Sequence, residues 1–202
     1  MQREIIALAV ALLAAADVGH AQVAGTAGTA PAVEATGGNK VLQLRYLAPA
    51  PGARLGSSAD LDYGILFSEN RDIIVSTALL FHTVVRPLPR LTIGVGPQAY
   101  LAWLSAQQKT NFFALSLGVT ARYEIWRDLG IAAFGSAFYS PGVLTLGSAH
   151  NLYDFTAGAE ARLLPRLDAI GGYRWLKVTT VGQPDLRVVN ELFVGLRWTL
   201  RQ

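Results

Sequence analysis

The sequence predicts an all-β protein: an antiparallel up-and-down transmembrane β-barrel of eight to ten strands, with ten favoured. The first observation is alternation. Tyr153, Phe155, Ala157, Ala159, Ala161 and Leu163 interleave with Asp154, Thr156, Gly158, Glu160 and Arg162. Leu192, Val194, Leu196, Trp198 and Leu200 likewise interleave with Glu191, Phe193, Gly195, Arg197 and Thr199. Successive strand side chains point to opposite faces, so each run is a ribbon with one oily and one polar side. The second observation is compositional. Among 202 residues 51% are hydrophobic and 15% charged, with a mean hydropathy of +0.33. Yet the longest uncharged run near the start, Ile5–Ala16, falls short of the roughly 18–20 residues of a membrane-crossing helix. A barrel that turns its oily side to lipid reconciles the two. The third is the rhythm of the connections. Tight turns at Arg86–Arg90, Trp126–Asp128 and Leu164–Arg166 contrast with longer, more polar links at Ala48–Ser58, Ser105–Thr110, Ser140–His150 and Thr180–Val188. Short turns on one rim and longer loops on the other are what outer-membrane barrels display.

In chain order, residues 1–21 read as a secretory signal peptide. Arg3 supplies the charge, Ile5–Ala16 the apolar region, and Gly19-His20-Ala21 the small residues before cleavage after Ala21. Residues 22–39, rich in Ala, Gly and Thr, read as a flexible leader or, at Pro31–Thr36, a short edge strand. The barrel domain is expected over 40–202, with strands at 40–48, 59–67, 72–86, 91–104, 111–125, 129–139, 151–163, 168–179 and 189–200. That list is odd-numbered, whereas bacterial single-chain barrels have even numbers. Either the leader holds a tenth strand, or 40–48 stands outside an eight-stranded barrel. The Ser68–Asp72 link is short for the longer-loop rim, on which it falls.

Faces follow from parity. Leu115, Leu117, Val119, Tyr153, Phe155, Tyr173, Trp175, Val194 and Trp198 are expected to face lipid. Arg45, Asp62, Arg122, Glu124, Asp154, Glu160, Arg162, Asp168, Arg174, Glu191 and Arg197 are expected to line the lumen and to pair there, since buried charges persist only when paired. Glycines on the inward face make room in a narrow tube. The 129–139 segment is apolar on both faces and leaves its register open. Trp103, Trp126, Tyr139, Tyr153, Trp175 and Trp198 near strand ends suggest aromatic girdles. Leu144 and Leu146 in the 140–150 loop fold back over the mouth, touch lipid or meet a partner, with fold-back preferred.

Little else carries chemistry. With no cysteine, thiolate metal sites and cysteine nucleophiles are excluded. His82 and His150 lack metal-ligand spacing, and Ser148, His150 and Glu160 form a generic hydrolase trio. Scattered rather than clustered basic residues argue against a nucleic-acid partner. No catalytic, cofactor or metal residue is assigned.

Phe138-Tyr139-Ser140-Pro141-Gly142-Val143-Leu144-Thr145-Leu146-Gly147, then Tyr153, Gly171-Gly172-Tyr173-Arg174-Trp175 and Gly195-Leu196-Arg197, resemble the YfaZ family of bacterial outer-membrane proteins. The likeness is strongest over 110–200. The chain departs from the family's usual aromatic end, since Leu200 is followed by Arg201-Gln202. The resemblance implies a small barrel of the bacterial outer membrane; the expected partners are outer-membrane lipid and, during biogenesis, periplasmic chaperones and the barrel-assembly machinery, with the chain a monomer. It brings no catalytic residues. The expected function is a non-enzymatic structural or narrow-pore, porin-like barrel with a salt-bridged lumen. The alternatives are a soluble periplasmic lipocalin-like barrel holding a small apolar ligand, or a lipid-modifying enzyme.

Overall fold

The computed structural model describes residues 30–50, 58–105, 110–180 and 185–200. The signal-peptide reading of 1–21 lies outside the described residues. The strands are β1 (Ala32–Gly37), β2 (Val41–Pro49), β3 (Ser58–Ser68), β4 (Ile73–Val84), β5 (Leu91–Leu104) and β6 (Thr110–Trp126), then β7 (Ile131–Ser140), β8 (Thr145–Gly147), β9 (Ala149–Leu164), β10 (Leu167–Thr180) and β11 (Leu186–Thr199). A single 3₁₀ turn at Gly142–Leu144 is the helical element among the described residues.

Ten of these strands form one antiparallel ring. Neighbours in sequence pair throughout, β5 with β6 included, and β1 closes the circle against β11. The three-residue β8 stands apart, added to the upper part of β6. A closed ring leaves no unpaired edge, the condition for a sheet to stand in hydrocarbon.

The tenth strand comes from the leader. Ala32–Gly37 is neither flexible nor an edge: it pairs with β2 on one side and β11 on the other. The barrel therefore begins at Ala32 rather than Lys40. Its inward residues Ala32, Glu34 and Thr36 are buried, whereas the outward Val33, Ala35 and Gly37 include one bulky side chain among three. This is why the alternation is faint in the sequence.

Two rims result. The turns at 85–90, 127–130 and 165–166 share one rim, hereafter the turn rim, with the ends of β1 and β11. The opposite loop rim carries the connections after β1, β3, β5, β7 and β10. The link from Pro49 to Ser58 leaves from the turn rim, because β2 runs antiparallel to β1. Its expected grouping with the longer loops is corrected by this extra strand, and the short links after β1 and β3 belong to the loop rim. Gly130 ends the β6–β7 turn at φ +62°, where a β-carbon would be strained.

The ambiguous segment resolves as β7. Ala132, Phe134, Ser136, Phe138 and Ser140 face in, with Ala133, Gly135, Ala137 and Tyr139 facing out. Phe134 lies opposite Gly158, and Phe138 opposite Gly118. A β-carbon on Gly158 would come within 2.8 Å of the Phe134 ring, and one on Gly118 within 2.2 Å of Phe138. Inward rings thus lie over inward glycines, and tube width rather than polarity sets this strand's pattern.

The loop after β7 folds back onto the wall, not over the mouth. Thr145 Oγ1 reaches the carbonyls of Pro141, Gly142 and His150, at 3.2, 3.0 and 2.7 Å. Leu146 pairs with outward Phe113 and remains exposed.

Candidate functional site

The ring sorts side chains into three environments: an outward apolar wall, a charged belt inside the half nearer the turn rim, and a packed apolar plug inside the half nearer the loop rim.

On the outer wall, Leu117 is 64% exposed, Val194 72% and Leu192 75%, with Leu115, Val119, Phe155, Tyr173 and Trp198 also exposed and Tyr153 and Trp175 half-buried. These residues share no common core. Tyr123, Trp126 and Trp198 stand near the turn rim; Trp103, Tyr139, Tyr153 and Trp175 stand near the loop rim. Tyr139 and Tyr153 have ring centroids 5.0 Å apart, and Tyr153 and Trp175 6.3 Å. Polar tips on this face are tied locally: the Tyr139 hydroxyl is 3.3 Å from Asn151 Oδ1, and the Tyr173 hydroxyl bonds Asn190.

Inside, the belt runs strand to strand. Glu34 is directly opposite both Arg45 and Arg197, its two cross-strand neighbours. Its Oε1 accepts from Arg45 Nη1 at 3.3 Å, and its Oε2 from Arg197 Nη2 at 2.9 Å. Arg45 also grips Asp62 through both carboxylate oxygens. Arg197 Nη1 continues to Glu160 at 2.5 Å, and Arg122 Nε reaches the other Glu160 oxygen at 2.7 Å. Arg122 Nη1 then donates to Glu124 at 3.1 Å. Seven charged groups on β3, β2, β1, β11, β9 and β6 form one chain. The inward residue of β7 between Glu124 and Glu160 is the fully buried Ala132, small enough for Arg122 to cross to Glu160.

A second knot sits nearer the loop rim. Arg174 holds Asp154 by two bonds of 3.2 and 2.7 Å, and the Tyr100 hydroxyl donates to the same carboxylate at 2.8 Å. Arg174 and Asp154 are both buried and paired, which is what makes ionised groups tolerable out of water.

Not every expected lumen charge joins. Arg162 reaches Asp168 at 3.8 Å on the turn rim, half-exposed. Glu191 stands opposite Arg174 in register but accepts the Lys40 backbone N–H at 3.0 Å, drawn to the β1–β2 turn. Glu34, the hub of the belt, was missed because its segment read as leader. Its position two residues into a Val-containing alternation was the available signal. His82, also inward, has Nδ1 3.1 Å from Asp60 Oδ2 but out of line for a hydrogen bond.

Above these charges lies an apolar cluster. Leu66, Ile74, Tyr100, Ala102, Leu104, Phe112, Leu152, Leu176, Val178 and Val189 pack into one buried cluster, with Leu152, Leu176 and Val178 at 0% exposure. The hydrolase trio does not assemble. His150 and Glu160 are ten residues apart along β9, roughly 33 Å at the rise of an extended strand.

A closed antiparallel barrel with an apolar exterior and a paired polar interior defines the transmembrane β-barrel class. The chain belongs to the YfaZ family: the family model described as YfaZ precursor matches residues 64–200. No curated protein matches. Among solved structures, the chain is similar to a bacterial polysaccharide outer membrane secretin, at 13% identity and TM-score 0.46, covering 82% of this chain and 58% of that one. It is also similar to a KdgM porin in complex with disordered oligogalacturonate, at 9% identity and TM-score 0.44, covering 86% and 100%.

Proposed function

We propose that the chain is a non-enzymatic barrel of the bacterial outer membrane, with a structural role and a closed interior held by ion pairs. The supporting observation is how the interior is filled. The belt spans the half nearer the turn rim, and the side chains of the apolar plug occupy the half nearer the loop rim. A ring of ten strands has just enough width for side chains to meet across it. Water and ions would have to cross first a region of paired charge and then a packed apolar one. The continuous apolar exterior supports membrane placement, with lipid as its partner and chaperones and assembly machinery acting during biogenesis. The wide separation of His150 and Glu160 argues against the Ser148, His150 and Glu160 trio as a catalytic group. A lipocalin-like role would need the oily face inside; here the larger oily surface is outside.

A narrow-pore reading keeps one observation in its favour. Arg122 and Arg45 side chains are 39% and 29% accessible, so solvent reaches the belt from the turn rim. Planar-bilayer recording separates the two. The purified, refolded chain is expected to insert without steady conductance. Stable, stepwise conductance would establish the passage and refute the closed interior.

A further inference from the structure

The outer wall carries a groove that the barrel's closure does not need. It has a volume of about 440 Å³ and crosses β6, β7, β9 and β10 near the loop rim. Ala137 forms its floor together with strand backbone; Leu117, Tyr139, Tyr153, Phe155 and Trp175 form its walls. The floor is low because β7 presents Ala137 outward between Val119 on β6 and Phe155 on β9. Its lining is apolar and aromatic, the chemistry of an acyl-chain contact.

Charge stands at one end of it. Lys177 is directly beside the groove wall residue Tyr153, and Arg187 is directly opposite Lys177 on β11. Two like charges facing each other across a pair of strands are unfavourable unless an anion lies between them. Asp185 supplies half of that need, with its carboxylate 2.6 Å from Lys177 Nζ. Arg187 is exposed, and among the described residues no carboxylate lies within ion-pair distance of it. The pattern is an apolar trough with an exposed guanidinium two strands from its Tyr153 wall, beyond Lys177.

We infer that this groove binds one phosphate-bearing, multi-acyl lipid of the leaflet facing the loop rim, acyl chain in the trough and phosphate on Arg187. Arginine presents a planar fork of donors that matches phosphate oxygens, so it can hold the head group in two bonds. The inference rests on the membrane placement proposed above and adds a specific site to it.

The test uses the full chain refolded in neutral maltoside micelles, titrated with lipid A and with enzymatically dephosphorylated lipid A, bound species being counted by native mass spectrometry. Lipid A should bind about fivefold more tightly or better, the gain expected from one basic side chain at an anionic surface. Arg187→Gln should abolish that preference and Arg187→Lys restore much of it. Ala137→Phe, which fills the floor, should weaken both lipids, and heat-dependent gel mobility verifies that each variant is folded. Equal binding of the two lipids by the unaltered chain would overturn the site, as would an undiminished preference in Arg187→Gln. A chain that is folded and monodisperse without detergent would remove the membrane placement and the site together. Phosphate-blind binding by a detergent-requiring barrel would remove the site alone.

Discussion

Glu34 shows how a residue's importance can depend on register rather than on motif. Alternation alone says which face a side chain takes, and that much was legible: Arg45, Asp154, Glu160, Arg174 and Arg197 turn inward as parity requires. Who meets whom depends on how strands are staggered, which the local sequence does not encode. Thus Glu191 looks like the natural partner of Arg174, yet Asp154 takes it from the other side. Glu34→Ala should destabilise the refolded barrel by about 3 kcal/mol, toward the low end for breaking a buried pair, because Arg45 keeps Asp62 and Arg197 keeps Glu160. Denaturant unfolding in micelles measures this, and a loss within experimental error would show the hub to be dispensable. The outer face gives a complementary prediction. Tyr173 lies at the middle of β10 and faces out, so Tyr173→Arg should cost about 2–4 kcal/mol, whereas arginine at rim position Leu163 should cost about 0–1. Gly158→Arg should fail for another reason, since even a β-carbon there meets the Gly171 carbonyl at 2.4 Å. Equal tolerance at Ala159 and Gly158 would contradict the register.

At the scale of elements, long alternating strands were legible and the short closing strand was not. β9, β10 and β11 carry large outward and charged inward residues, so their period of two stands out. β1 is six residues long and mostly small, and only pairing on both edges makes it a strand. β7 was obscure because Phe134 and Phe138 point inward over glycines, an arrangement visible only once Gly158 and Gly118 are opposite them. The consequence of β1 is testable by truncation. Removing residues 22–37 should leave β2 and β11 with open edges, and the product should lose the heat-dependent gel shift of a closed barrel. A truncated chain that retains the shift would mean an eight- or nine-stranded ring closes without β1. The plug gives a second test, because Leu152 on β9 lies directly opposite Val178 on β10, both at zero exposure. Leu152→Ala should cost about 2–5 kcal/mol through lost burial and the cavity left behind. Unfolding midpoints near the parent value would mean that this half of the lumen is loosely packed.

The whole molecule reverses the usual arrangement of a soluble β-protein, with its larger apolar surface outside and its ion pairs within. This global property was the most legible of all, because it needs only the alternation and the absence of a helical span. How the interior divides along its length was not legible, since the plug is assembled from inward residues of seven strands, scattered from Leu66 to Val189. The reversal itself can be measured directly, and a chain without cysteine makes the measurement clean. Single cysteines at Leu117, Val194, Ser116 and Thr156, each carrying a nitroxide in the bilayer-reconstituted chain, report collision rates with oxygen and with a water-soluble nickel chelate. Labels at 117 and 194 should collide with oxygen dissolved in the acyl region and be shielded from nickel, while those at 116 and 156 are shielded from oxygen. Shielding of 117 and 194 from both reagents, with 116 and 156 open to water, would place the oily face in a common core and contradict the account.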